Sequence, residues 1–298
     1  MSFLFEPFAA DFMVRALVGG MLVAALCGVV GTWVVIRGMA FLGEAMAHGL
    51  LPGVAAAALL GLPPVLGAAV SASVMTAGVG IVSRRARLTH DTAIGLLYVA
   101  MLSVGVIVVS RSRSFATDLT AILFGDVLAI RSADLLFLGG ALVVTLAVAA
   151  AFHRPFVALA FDQRVAQTLG LRPRLAQVIL VGLVTLVVVA SYQAVGSLLV
   201  VGLLLAPAVA AGHWTRRIPS TMALAVVFGC ASVVAGLLVS WHASTAAGAS
   251  IAACAVALAA ASAAARAVAT RTHPAAPGPA APGPDTSPTA PLRETSPV

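Results

Sequence analysis

Long apolar runs, each near the about 20 residues a helix needs to cross a bilayer, alternate with short polar breaks along most of this chain. The first covers about Val14 to Ile36 and the second about Gly38 to Leu60. The turn "GLPP", Gly61 to Pro64, separates the second from a third that reaches about Val82, because proline cannot continue a helix. After "SRRARLTHD" a fourth run extends to about Ser110, with Thr89 or Asp91 placed to cap its first turn. Arg111 to Arg131 is too broken and charged for a simple span and predicts a short interfacial helix ending at "FGD", Phe124 to Asp126. A further span covers about Asp134 to Phe152, followed by a polar stretch from His153 to Arg174. Leu175 to Trp214 is almost free of charge and predicts two spans folded at "SYQAVG", Ser191 to Gly196. Two last runs cover about Ser220 to Val239 and Ser244 to Ala265. The pattern predicts about nine spans, or eight if the two short blocks around "GLPP" do not both cross.

These runs are continuously apolar and do not alternate as barrel strands do. Only helices and closed barrels satisfy the backbone in lipid. The expected fold is therefore all-α, a polytopic helical membrane protein. Three regions follow: 1–13, a short extracytoplasmic segment; 14–269, the transmembrane domain; and 270–298, a disordered cytoplasmic tail rich in Pro and Ala. The first residues lack the basic stretch of a secretory signal and carry Glu6 and Asp11, so the first span reads as uncleaved.

Composition sharpens this picture. The chain is 61% hydrophobic and 9% charged, too little charged surface for a soluble domain of this length. The net charge of +7 comes from arginine clustered in short loops. That is the positive-inside pattern, not a nucleic-acid surface. It places Arg37, "RRAR", the loop from His153 to Arg174, "TRR" and the tail on the cytoplasmic side, and the N-terminus outside. Lysine is absent, which excludes a Walker A phosphate loop and Schiff-base chemistry. Any ATP that powers this chain is hydrolysed by a partner. Cys27, Cys230 and Cys254 stand alone in apolar segments without a C-x-x-C motif and read as small buried residues. Intramembrane catalytic sets such as Ser-Lys, H-E-x-x-H or paired Asp are not found, so the chain does not read as an enzyme.

The chemistry concentrates in "RGMAFLGEAMAHGLLPG", Arg37 to Gly53. Glu44 and His48 are four residues apart and share one helix face. At about 1.5 Å per residue a helix entering at Gly38 carries them roughly 9 and 15 Å into the membrane. An ionisable group there costs about 2.5–3.5 kcal/mol even on a lenient scale. Two readings are open. One is a neutral Glu–His hydrogen bond at a helix contact. The other is a cation site, since carboxylate oxygen and imidazole nitrogen suit zinc, manganese or iron. Pro52 deprives the carbonyl of His48 of its helical donor, and broken backbone beside a polar pair is how transporter helices build ion sites. Gly43, Gly49 and Gly53 allow another helix to come close. One helix supplies two ligands; a two-fold copy would supply four.

These residues resemble the signature of the zinc/manganese/iron permease family of ABC transporters. "DTAIGLLYVAMLSVGVIVVS", "DLTAILFGDVLAI", "AFDQRVAQTLGLRP" and "QAVGSLLVVGLLLAPAVAA" resemble further blocks of that family in the same order, covering about residues 12 to 265. The resemblance implies an ABC importer permease fold in a bacterial cytoplasmic (inner) membrane. It implies two ATPase subunits, an extracytoplasmic metal-binding protein and a homodimeric or pseudo-dimeric membrane unit. It implies no permanently bound cofactor, a divalent metal as substrate (zinc or manganese favoured), and ATP acting only through the partner. The family's gating acid and histidine fall on Glu44 and His48, though the family usually has Asp where Glu44 stands and Ser where Ala47 stands. The segment 160–173 resembles the family's coupling segment. On it Phe161, Asp162, Arg164, Leu169 and Gly170 are the candidate ATPase contacts, and Phe161, Val165 and Leu169 recur at four-residue spacing. The same stretch also reads as an amphipathic helix lying on lipid. An ion-coupled secondary transporter using Glu44 and His48 as a proton relay is the alternative function.

Other polar residues rank lower. Arg37 reads as a positive-inside anchor. His90, His153 and His213 receive no metal role, and His242 beside Trp241 is a lesser candidate for meeting incoming metal. Asp126 reads as a contact for a docked binding protein or as a cap.

Overall fold

The computed structural model describes residues 10–85, 89–111, 125–161 and 173–272. The helices are α1 Asp11–Ile36, α2 Ala40–Gly49, α3 Leu51–Leu59, α4 Pro64–Arg85, α5 His90–Val109, α6 Ser132–Ala151, α7 His153–Phe161, α8 Pro173–Gly212, α9 Ile218–Ala243 and α10 Ala247–Thr272. Leu50 keeps right-handed helical angles (φ −73°, ψ −26°), so α2 and α3 form one interrupted span, Ala40–Leu59. α8 contains two spans, Leu175–Tyr192 and Ala194–Gly212. Among the described residues, nine stretches are long and apolar enough to cross a membrane. Both blocks flanking "GLPP" are among them, so nine spans stand in place of eight or nine.

Local chemistry sets the helix ends. Thr89 caps α5, its Oγ1 accepting from the Thr92 N–H at 3.3 Å. Asp134 accepts from the Arg131 N–H at 2.9 Å at the start of α6. Asp126 caps the single 3-10 turn Val127–Ala129 by accepting from the Leu128 N–H at 3.2 Å. α10 runs past the expected end near Ala265 to Thr272. Alanine continues a helix readily after the apolar run has finished. The interfacial helix expected before "FGD", the outermost N-terminal residues, part of the "RRAR" loop and the tail beyond Thr272 lie outside the described residues.

The core gathers around α1, α2 and α8. Trp33, Leu26, Leu42, Met46, Leu199, Leu203 and Leu204 are fully buried there. α8 begins beside Arg37, where Gln177 accepts a hydrogen bond at 2.7 Å. Partway along, Thr185 meets Thr76 of α4 at 3.3 Å. The helix then turns at Gly196 (φ 77°, ψ 164°). Gly125 packs into this turn, and a Cβ there would overlap the backbone of Val195 and Gly196. The second arm returns along α1, with the Cys27 thiol 3.9 Å from the carbonyl oxygen of Val200. This is the fold expected at "SYQAVG".

Of the loop ends that the arginine pattern assigns to one side, those at the end of α1, at α7 and at the end of α8 lie near one another. Trp33, near the end of α1, packs edge-on against His153 and Phe156 of α7. Val35 packs with Ala208 and Ala211 of α8. Trp214 donates to Ser262 of α10 at 2.8 Å. The outer surface carries large apolar side chains, such as Leu136 and Val143 of α6 at 79% and 67% exposed. Such a surface suits lipid as its solvent.

Candidate metal-binding site

α2 is anchored from behind. Ala45, Met46 and Ala47 are buried. The Thr76 hydroxyl lies 3.9 Å from the Met46 sulfur. Gly43 faces Leu204 and Gly49 faces Met75, leaving no space for a Cβ at either glycine. The expectation that glycines admit neighbouring helices holds, the neighbours being α8 and α4.

The backbone interruption at Leu50 is repaired rather than left open. Pro52 sits in the first turn of α3, where a missing N–H costs least. The Leu50 N–H reaches back to the His48 carbonyl. Ser71 of α4 donates to the Gly49 carbonyl at 2.7 Å. Backbone groups freed inside a membrane find partners in this way when a neighbouring helix is close.

The opposite face of α2 presents Glu44 and His48 together. Glu44 is exposed and His48 half-buried, and both line an open pocket of about 710 Å³. The return arm of α8 supplies the wall with Leu198 and Gly202, and α10 supplies it with Ala249, Ala253 and Val256. The pair is polar and the other side chains of this wall are apolar, so these two are its side-chain donors for a cation. Neither side chain has a hydrogen-bond partner among the described residues. The neutral Glu–His hydrogen bond is therefore not how the molecule holds them. Instead the His48 ring packs edge-on against Tyr98 of α5, with centroids 5.8 Å apart and planes at 70°. Tyr98 packs the same way on Phe41 at 5.7 Å. The sequence reading missed Tyr98. Its only local signal is that it is the single aromatic residue in an otherwise aliphatic span.

Among the described residues no three His, Cys, Asp or Glu side chains converge on a point that could hold a metal. The described residues of one chain therefore offer this pocket a carboxylate and an imidazole, and no more. The other candidates do not join them. His153 packs on Trp33. His242 is exposed, with Nδ1 2.8 Å from the Leu238 carbonyl. Phe161 ends α7, while Asp162, Arg164, Leu169 and Gly170 lie outside the described residues. Arg37 is half-buried and hydrogen-bonded within the protein, more than its reading as an anchor anticipated.

A family model described as ABC-3, the ABC 3 transport family, matches residues 9–266. The chain belongs to this family. The permease is 35% identical over 252 residues to the manganese transport system membrane protein MntC of Halalkalibacterium halodurans, covering 84% of this chain and 86% of that one. It is 33% identical over 255 residues to the chelated iron transport system membrane protein YfeD of Yersinia pestis, covering 84% of each. A solved structure of PsaBC from Streptococcus pneumoniae in complex with Fab matches with a TM-score of 0.78 and 31% identity, covering 88% of this chain and 94% of that one. The chain is thus the multi-pass membrane permease subunit of a metal-ion ABC importer, and ATP hydrolysis resides elsewhere. Membership of an ATP-driven family leaves the secondary-transporter alternative without an observation in its favour.

Proposed function

We propose that the cargo is a divalent transition metal, manganese ahead of zinc and iron, and that it passes between Glu44 and His48 of two copies of the permease. The carrying observation is that these two side chains line one open pocket without hydrogen-bond partners among the described residues. Two donors are too few to hold a transition metal, whose protein sites commonly use four or more. A two-fold copy supplies two oxygens and two nitrogens around one axis. Manganese leads because the carboxylate is a hard donor and because relatives over most of the chain are named for manganese transport. Iron follows from the relative named for chelated iron. An extracytoplasmic binding protein would deliver the metal. ATPase subunits would dock on the segment 160–173 through Phe161, Asp162, Arg164, Leu169 and Gly170. No nucleic acid takes part.

The test is cellular manganese, zinc and iron after depletion and re-supply. Cells would express wild-type, His48→Ala or Glu44→Gln permease at matched membrane levels, with the cognate ATPase active or inactive. One metal should rise only with wild-type permease and active ATPase. Each substitution should lower its uptake by at least about tenfold, since even partners of metal ligands cost 10–100-fold when removed. Equal metal content across all three proteins would overturn the role of the pair.

A further inference from the structure

Arg37 joins three parts of the permease that are far apart in sequence. Its Nη1 donates to the backbone carbonyl of Leu159 in the last turn of α7. Its Nη2 donates to Oε1 of Gln177 at 2.7 Å, in the first turns of α8. Gln177 donates in turn through Nε2 to the sulfur of Met39 at 3.6 Å. Met39 is buried and immediately precedes α2, the helix that carries Glu44 and His48. One guanidinium thus closes a ring from the end of α7 to the start of the metal-bearing helix.

Physical chemistry explains the choice of residue. The planar fork of arginine bridges two acceptors, whereas a lysine ammonium is a single flexible point charge. The rest of α7 is fixed to α1, because Phe156 is buried with its ring centroid 5.4 Å from that of Trp33. α7 is therefore packed onto the end of α1, and Arg37 stands at their junction. The third guanidinium nitrogen, Nε, is buried and has no partner among the described residues. Burial lowers the Arg37 pKa from its usual value, but a guanidinium stays charged at neutral pH.

We propose that Arg37 is a positioning residue that transmits movement of α7 to α2. Closure of the ATPase subunits then changes the exposure of Glu44 and His48. This inference rests on the proposed coupling role of 160–173. An arginine that merely marked the membrane interface would point to headgroups. Arg37 points instead at protein acceptors from two other helices.

The experiment uses the whole complex in proteoliposomes: permease, ATPase subunits and binding protein, with manganese as probe. Manganese moved per ATP hydrolysed is measured for wild type, Arg37→Gln, Arg37→Lys and Gln177→Leu. In Arg37→Gln, ATPase binding and basal hydrolysis should stay within about twofold of wild type while manganese per ATP falls about tenfold. Arg37→Lys should fall between, since it keeps the charge and loses the fork. Gln177→Leu should lower the ratio severalfold, and it decides the matter if Arg37→Gln does not reach the membrane. A wild-type ratio in both Arg37→Gln and Gln177→Leu overturns the proposal. So does a loss of transport that only parallels loss of ATPase binding. Leu169→Asp separates the two ideas: it should abolish ATPase binding, and normal binding there would sink the coupling reading itself. A wild-type complex that hydrolyses ATP but moves no manganese, zinc or iron overturns the metal-import reading and this proposal with it.

Discussion

Among the described residues His48 meets a ring and no hydrogen-bond partner, and this has a measurable consequence. Tyr98 contacts the imidazole edge-on and is itself braced by Phe41. An aromatic pair of this kind contributes about 0.5–1.5 kcal/mol beyond the area it buries. Tyr98→Ala should therefore raise the metal concentration for half-maximal uptake by about two- to tenfold, because the imidazole loses its preferred orientation. Tyr98→Phe should leave it unchanged, since the contact uses the ring and not the hydroxyl. A large effect of Tyr98→Phe would mean that the hydroxyl takes part, contrary to the geometry. Glu44 offers a companion test. Glu44→Asp withdraws the carboxylate by one methylene, so uptake should persist with a changed ratio of manganese to zinc. An unchanged ratio, measured in competition, would show that this carboxylate does not touch the metal.

α2 and α3 place the pair only because α4 lies tight against them. A Cβ at Gly67 of α4 would overlap the carbonyl oxygen of Gly53, and one at Gly53 would overlap that of Gly67. Ser71, one turn further along α4, repairs the interrupted backbone at Gly49. Overpacking a close contact costs about 1–3 kcal/mol. Gly67→Val should lower the melting temperature of the purified permease by several degrees, and Gly139→Ala, on an open face of α6, should not. Equal melting of the two variants would mean that the α3–α4 contact does not limit stability. Much at this scale was legible in the sequence. The bilayer sets the length of every apolar run, so the spans and the fold at "SYQAVG" could be read directly. Glu44 and His48 stood out because charge is costly where they lie. Tyr98 and the Arg37 ring did not stand out. Their meaning depends on partners in other helices, and Leu159 is 122 residues from Arg37. Local periodicity carries no record of such contacts.

At the scale of the whole molecule, the outward faces are not alike. Large aliphatic side chains project outward on α6, as Leu136 and Val143 do. The wall beside Glu44 and His48 differs, since α10 offers Ala249, Ala253 and Ala257 there at four-residue spacing. Small residues on a membrane helix permit close approach of another helix, while lipid contact makes no such demand. A lone permease would leave both ionisable groups on an open apolar wall, at the cost that intramembrane charge carries. A second copy seated on this face would cover them and complete the donor set. The arrangement predicts a cross-link. Cys27, Cys230 and Cys254 would first be replaced by alanine, and a single cysteine introduced at Ala253 or at Val143. In native membranes, oxidation should give a disulfide-linked dimer of Ala253→Cys and none of Val143→Cys, which faces outward from α6 at 67% exposure. In the proposed dimer small-residue packing, rather than the metal, would bring the copies together, so depleting manganese should not abolish the link. A dimer formed through position 143 and not through 253 would place the two-fold axis elsewhere and separate Glu44 and His48 from their proposed partners.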